Sequence, residues 1–331
     1  MYIKTIFWAT SRSPEDHITT ILSWIKETGI DAIRMDTAKH VERVFWYDFK
    51  THVKGKYPDV SLLGEVLIFT IDEVSQYQAH FAFDSLFDFP LQRAIECVFA
   101  FQCNLETFVS PFNQGTGILE KDTSYTNHHR LVTLLDNHDL SSRFFSTVLT
   151  ACGNNRDAAT RVYMLTLSFM FTIRGIPQLF YGNEVGLEGG SDPDNRRDFE
   201  WHKFDKNYDV LPEYTHEKLI FDHTCKLIKI RKKHHSLSAG SFICLYVDPF
   251  LLVYLRHHEK DVTITIIHNG WQKAQNPISI SFMNNPYIPS RIKTLLANST
   301  MKCQLTNEKF EIKEGTIEVW PEWKSAHILS L

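Results

Sequence analysis

The chain has 331 residues, of which 43% are hydrophobic and 22% are charged, and its formal net charge at pH 7 is -4. This is the composition of an ordinary globular protein, long enough for two domains of about 150 residues each. The small negative charge gives no electrostatic reason to expect nucleic acid or an anionic membrane as a partner. The sequence has no run of 18 apolar residues, so it predicts no membrane-spanning segment.

The amino-terminal residues and the cysteines bear on the compartment of the protein. Residues 1–10 contain one lysine and a short apolar stretch, without a full signal-peptide core or a small-residue cleavage site, which favours the cytoplasm. The six cysteines lie far apart and include no Cys-x-x-Cys pair. We therefore expect no zinc site and predict buried, reduced thiols.

Helix-like and strand-like patterns alternate over the first two-thirds of the chain. Pro14 and the acids beside it predict the start of a first helix, which Gly29 ends after residue 28. Further helices are predicted over residues 41–57, 71–78, 91–109, 156–172 and 213–233. Strands are predicted to start near Asp31, Val60, Phe81, Leu131 and Ile176. Strands separated by helices indicate βαβ units and a parallel sheet.

The pattern changes near Ser238. From there to Leu331, apolar residues alternate with period two, and turn residues separate the runs. The clearest runs are residues 242–246, 251–255, 262–267 and 278–282. This pattern is typical of an antiparallel β-sandwich. We therefore predict an α/β domain over residues 14–238 and a β domain over residues 239–331, preceded by a non-matching segment, residues 1–13.

Three acidic residues follow three of the predicted strands: Asp36, Glu65 and Asp139. In parallel barrels the carboxyl ends of the strands and the loops after them build the active site. Carboxylates gathered there suggest glycoside hydrolysis, which needs one carboxylate as nucleophile and one carboxylic acid as proton donor. In a retaining enzyme these two groups lie about 5–5.5 Å apart.

The same segments carry a family resemblance. Residues 29–40 resemble the fourth-strand motif of the α-amylase family (glycoside hydrolase family 13), residues 62–66 its fifth-strand motif and residues 134–139 its seventh-strand motif. The sixth strand, the eighth strand and the loop that follows are matched by residues 83–90, 174–184 and 190–197. Within this family, the chain resembles the subgroup of neopullulanase, cyclomaltodextrinase and maltogenic amylase. This implies an incomplete (β/α)8 TIM barrel, strands 4 to 8, followed by an all-β C-terminal sandwich domain.

The resemblance also implies a role for each acid. Asp36 would attack the anomeric carbon, and Glu65 would protonate the leaving oxygen and then activate water. Asp139 would stay ionised and stabilise the oxocarbenium-like state. The remaining predicted site residues would bind substrate: Arg34, Lys39, His40 and His138. Each also has an ordinary structural alternative.

Arg34 lies two residues before Asp36, so on a strand both side chains face the same way, and the guanidinium would hold Asp36 charged and oriented. Alternatively, Arg34 is an ordinary core ion pair and His138 a structural histidine. Lys39 and His40 could equally be the solvated start of a helix.

The resemblance begins only at the fourth strand. The family's first three strands and its first motif, which often supplies a calcium ligand, have no counterpart in the sequence. We therefore expect an N-terminally truncated form whose open barrel would be closed by a missing N-terminal half or by a second copy in a homodimer. Calcium is one cofactor that the family allows, but no motif here requires a cofactor.

Two classes of function remain open. The favoured one is a retaining α-glycoside hydrolase that acts on α-1,4-glucans such as maltodextrin, starch or cyclodextrin. The other is a catalytically inactive remnant or carbohydrate-binding subunit. Within the enzyme class, transglycosylation is a third option, because transfer and hydrolysis share one covalent intermediate.

Overall fold

The computed structural model describes residues 13–79, 83–110 and 115–331. These residues form two compact units, described in turn below. The first comprises the described residues up to Leu91 together with Lys121–Thr133, and the second the described parts of Gln92–Glu120 together with Leu134–Leu331. The domain boundaries after residues 13 and 238 stay a prediction. Among the described residues, no helix has the length and apolar character needed to cross a membrane.

The first helix, α1, has the predicted bounds, Pro14–Thr28. At its start the Ser13 hydroxyl accepts a hydrogen bond from the Asp16 N–H, and the Asp16 carboxylate accepts one from the Ser13 N–H. This reciprocal cap satisfies two donors that a helix end leaves unpaired. At the other end Gly29 has a φ of 65°, and its N–H donates to Ile25 O. Glycine takes this left-handed conformation without a Cβ penalty.

Short parallel strands form the centre of the first unit. They are β1 (Ala32–Met35), β2 (Ser61–Gly64) and β3 (Ser85–Leu86), hydrogen-bonded in that order, and a parallel bridge from Phe87 to Val132 adds β4 (Val132–Thr133). Helices α2 (Arg43–Lys56) and α3 (Ile71–Ala79) connect them. The predicted βαβ order is thereby confirmed. The predicted start of the third strand, Phe81, lies outside the described residues.

The helix predicted over residues 91–109 is wrong in its second half. Helix α4 (Phe89–Ile95) continues as a single π-helical segment, Glu96–Ala100, and there ends. A disulfide joins Cys97 to Cys103, and Gln102 has a φ of 59°. The chain therefore reverses within the loop that the disulfide closes. The prediction of reduced thiols is also wrong for these two cysteines.

The second unit contains further helices and one short strand among its described residues. They are α5 (Phe144–Ala151), α6 (Arg156–Thr172), β5 (Ile176–Pro177), α7 (Thr215–Lys233) and α8 (His235–Ala239). The bounds of α6 are those predicted, and its Asn155 cap accepts a hydrogen bond from the Ala158 N–H. Helix α7 starts two residues later than predicted. Its Arg231 donates hydrogen bonds to the carbonyls of Phe171 and Gly175 and so holds the end of α6.

Within residues 241–330, all of which the structure describes, eight strands form one antiparallel sheet. They are β6 (Ser241–Val247), β7 (Leu251–His258), β8 (Asp261–His268), β9 (Ile278–Ser281), β10 (Ser299–Cys303), β11 (Lys309–Lys313), β12 (Thr316–Val319) and β13 (Ser325–Ser330). Their order is β6-β7-β8-β13-β10-β11-β12-β9. The end strands β6 and β9 contact each other, so the sheet folds over one shared apolar core. The predicted β domain is confirmed, with one short helix, α9 (Ser290–Leu296), added.

Candidate active site

The register of two parallel strands brings two of the predicted acids together. Met35, the last residue of β1, pairs with Gly64, the last residue of β2. Asp36 and Glu65 are therefore the first residues beyond adjacent strand ends. The Glu65 N–H donates to Met35 O at 2.9 Å, so the ladder extends one step beyond the strands. A side chain at position 64 would collide with the Phe83 ring, since a Cβ there would lie 2.7 Å from it.

Arg34 bridges the two carboxyl groups. Its Nη2 donates to Glu65 Oε1 at 2.5 Å, and its Nη1 lies 3.9 Å from Asp36 Oδ2. The guanidinium also lies over the Phe87 ring, 5.7 Å from its centroid. The sequence suggested that Arg34 would serve Asp36; the structure gives it the shorter contact with Glu65. A cation held between two acids favours at least one of them being ionised.

The two carboxyl groups have different surroundings. The Glu65 side chain is only 6% exposed, whereas that of Asp36 is 61% exposed. Burial raises the pKa of Glu65 above its ordinary value, and a hydrogen bond with Asp36 acts in the same direction, while Arg34 opposes both. Two adjacent carboxyls whose environments differ in this way favour one protonated and one ionised group. The arrangement therefore favours Glu65, rather than Asp36, as the protonated group of the pair.

The segment after Asp36 turns sharply. Thr37 has a φ of 51°, in the left-handed region that a β-branched residue rarely adopts, and a 3-10 turn, Ala38–His40, follows. The Lys39 ammonium donates to Leu67 O at 2.9 Å, and the indole of Trp46 donates to Ala38 O at 2.9 Å. These bonds fix the turn beside Asp36. His40 is exposed at the end of the turn.

The third predicted acid, Asp139, belongs to the second unit. The side chain of Asn137 accepts hydrogen bonds from the backbone N–H groups of Asp139 and Leu140, at 2.9 and 3.0 Å. This turn presents Asp139 beside two basic side chains. His138 Nε2 lies 3.2 Å from Asp139 Oδ2, and Arg196 Nη2 lies 3.4 Å from Asp139 Oδ1.

A buried polar network supports this turn. Asp136 accepts hydrogen bonds from the Phe144 N–H at 2.6 Å and from Asn183 Nδ2 at 3.0 Å. Burial raises the pKa of Asp136, and these bonds oppose the rise. Asn195 Nδ2 donates to His138 O and to Leu140 O, and so clamps the Asp139 turn from the other side.

Arg143 is the central residue of the network, and sequence reasoning missed it. Its side chain is fully buried. Its Nε donates to Asn195 O and its Nη1 to Tyr181 O, each at 2.7 Å, while the guanidinium lies 4.0 Å from the Phe180 ring centroid. The only sequence signal is an arginine directly before the apolar start of α5. Its partners are distant in sequence, so that signal does not identify them.

The predicted site residues thus fall into two groups. Arg34, Asp36 and Glu65 lie together in the first unit, while His138 and Asp139 lie together in the second. That Asp139 faces the same cleft as the first pair stays a prediction. Within the described parts of the chain, no three His, Cys, Asp or Glu side chains group as metal ligands.

A comparison with models of protein families assigns this chain to a family. Residues 7–240 match the model of the alpha-amylase catalytic domain. This chain belongs to the α-amylase family. Its relatives in the family include the cyclomaltodextrinase of a Bacillus species, 31% identical over 249 residues, which are 74% of this chain and 40% of that protein. The maltogenic alpha-amylase of Bacillus acidopullulyticus is 28% identical over 261 residues, 77% of this chain and 40% of that protein.

Solved structures of the family share the fold. The alpha-amylase of Geobacillus thermoleovorans, solved with acarbose, superposes with a TM-score of 0.76 at 26% identity, over 96% of this chain and 63% of that one. An Anoxybacillus alpha-amylase gives 0.77 at 28% identity, over 96% and 62%. The expected fold class, part of a TIM barrel followed by a β domain, is therefore confirmed. The chain spans about 40% of the length of the first curated relatives it matches.

Proposed function

We propose that this chain supplies the catalytic acids of a retaining α-glycoside hydrolase that acts on α-1,4-glucans. The observation that carries the proposal is the asymmetric pair of carboxyls after β1 and β2, one exposed and one buried, with Arg34 between them. Retaining hydrolysis needs such a pair, because one group must attack while the other holds a proton.

The proposed reaction has two steps. In the first, Asp36 attacks the anomeric carbon while Glu65 gives its proton to the glycosidic oxygen, so the leaving sugar departs as an alcohol. This leaves a glycosyl ester on Asp36 and an ionised Glu65. In the second step Glu65 takes a proton from water, whose oxygen displaces Asp36 from the same carbon. Two inversions give net retention, and both carboxyls return to their starting state.

The Asp139 turn would act on charge that develops in the sugar. Asp139, held beside Arg196 and His138, would oppose the positive charge of the oxocarbenium-like state. His138 and Lys39 would hydrogen-bond sugar hydroxyls. The four bonds that Asn137 and Asn195 make to this turn support the role, because a preorganised charge stabilises a transition state without reorganising.

The substrate class rests on the relatives. Those at 28–31% identity are named cyclomaltodextrinase and maltogenic alpha-amylase, and one related structure was solved with acarbose. We propose maltodextrin or cyclodextrin as substrate on this basis. Because the chain spans about 40% of those proteins, the proposed activity is that of an assembled catalytic body. An N-terminal half or a second copy of this chain would complete it.

The test measures maltodextrin and β-cyclodextrin hydrolysis by the full chain, alone and mixed with the N-terminal half of a cyclomaltodextrinase relative. Asp36→Asn should abolish the activity, whereas the control Asp31→Asn, an exposed residue before β1, should preserve it. Proton NMR of fresh product should show the α-anomer first. A retaining hydrolase would be refuted if neither the chain alone nor the mixture hydrolysed these substrates. It would also be refuted if the β-anomer were the first product.

The second candidate is a carbohydrate-binding subunit without catalysis. In that case maltodextrin would bind to the Asp36→Asn variant with the same affinity as to the wild-type chain. Neither the chain alone nor the mixture with the N-terminal half would release reducing sugar. Activity that disappears with Asp36→Asn excludes this candidate.

A further inference from the structure

A groove of about 640 Å³ lies on the folded sheet of the second unit. Its lining comes from β11, β12, the start of β13 and the loops around Lys273 and Glu322, all within residues 273–327, which the structure describes. It shares no residue with the groups described above. Its size lies within the range of small-molecule sites, about 300–1,000 Å³.

An exposed indole is the main apolar element of the groove. Trp320 directly follows β12 and is 52% exposed, while Val319 before it is buried in the core. The alternation of a strand therefore turns the indole outward. Beside it, Phe310 packs edge-on against His327, with ring centroids 5.4 Å apart. Flat aromatic faces open to water suit a ligand that has an apolar face and a polar rim.

The charged groups of the groove nearly cancel. Three lysines and four glutamates line it within residues 273–327 of the described chain, and Lys273 is paired with Glu322 at 2.5 Å. A balanced lining has no net field to attract a polyanion such as nucleic acid. Ammonium and carboxylate groups still hydrogen-bond well to neutral hydroxyls. The chemistry favours a neutral, polyhydroxylated ligand.

We propose that this groove is a second α-glucan-binding site, with Trp320 stacking on the apolar face of a glucose ring and Glu318 and Lys273 bonding its hydroxyls. The choice of α-glucan over another neutral sugar rests on the proposed function. The site would hold long or insoluble glucans to the protein and would take no part in bond cleavage.

The test uses the full chain with maltoheptaose and insoluble starch, and cellohexaose as the sugar control. Trp320→Ala should weaken starch retention at least tenfold, while the matched control Trp24→Ala, an indole 56% exposed on α1, should retain wild-type binding. Glu318→Gln should weaken binding several-fold. Any hydrolysis of short maltodextrin should be the same in all three variants.

A second measurement does not depend on the folding of a variant. Maltoheptaose should protect Trp320 of the wild-type chain from oxidation by N-bromosuccinimide, read by peptide mass spectrometry, while Trp24 stays reactive. Equal oxidation of the two, or unchanged starch binding by Trp320→Ala, would overturn the proposal. So would a Trp320→Ala variant that changes oligomeric state but not sugar binding, because the groove would then be a protein interface.

The two proposals fail separately. Trp320-dependent starch binding in a chain that hydrolyses nothing would support the groove and reject the hydrolase. Hydrolysis with no contribution from Trp320 to binding would do the reverse.

Discussion

Arg34 Nη2 donates a hydrogen bond of 2.5 Å to Glu65 Oε1, across the boundary between two adjacent parallel strands. Because Asp36 lies 3.9 Å from the same guanidinium, one cation positions both carboxyls of the pair. The proton of Glu65 is therefore governed by three competing effects: burial, the hydrogen bond with Asp36, and Arg34.

Arg34→Gln should raise the pKa of Glu65 further, because it removes the positive charge that opposes burial. In an active assembly the alkaline limb of kcat/KM should move to higher pH, and kcat should fall about 10²-fold as the carboxyls lose their common anchor. Arg43→Gln, an exposed arginine on α2, is the control and should change neither. An alkaline limb that moves to lower pH would contradict this account of Glu65.

The stability of the chain should depend on pH through Glu65. Its pKa is raised in the folded state, so the folded protein binds this proton more tightly than the unfolded chain does. The resulting stabilisation is complete below the unfolded pKa, near 4.5, and is lost as pH rises through the folded value. Glu65→Gln is neutral at every pH, so urea unfolding should show its stability relative to wild type increasing from pH 4 to pH 8. A constant difference would disprove the raised pKa.

The disulfide should stabilise the second unit. It closes a loop whose members meet the β domain: Asn269 Nδ2 donates to Val98 O, and the Trp271 indole donates to Gln102 Oε1. Replacing both Cys97 and Cys103 by serine should lower the free energy of unfolding by about 2 kcal/mol. Dithiothreitol should lower wild type to the level of this variant and leave the variant unchanged. Cys225→Ser, which removes a free thiol, should have a much smaller effect.

Arg143 should contribute strongly to stability, and its ion pair with the buried Asp136 is a long one, with Nη1 4.0 Å from Oδ1. It is fully buried, and two backbone carbonyls depend on it. Arg143→Ala leaves those acceptors buried and unsatisfied, so we expect a loss of about 3 kcal/mol in urea unfolding. Arg93→Ala, on the exposed face of α4, should cost less than about 1 kcal/mol. Equal losses in the two variants would show that the network around Asp139 is not stabilised in this way.

Elements with local signals were predicted accurately. Helices α1 and α6 have the predicted bounds because their caps and their apolar spacing lie within the element itself. The strands were located to within a few residues, although several have only two residues in the structure. Propensity could not reveal that the helix over 91–109 stops at Ala100. Its end depends on a loop closed by Cys97 and Cys103 and held by side chains some 170 positions away.

The sequence by itself determined the family, the order of strands and helices, and the positions of Asp36 and Glu65 just after their strands, because short-range patterns carry that information. Only the tertiary structure decided which carboxyl Arg34 holds most closely, which one is buried, and that Arg143 supports the Asp139 turn. Those outcomes depend on strand register and on contacts between residues far apart in the chain. Burial and hydrogen bonding, which set the protonation of an acid, exist only once those distant segments have packed together.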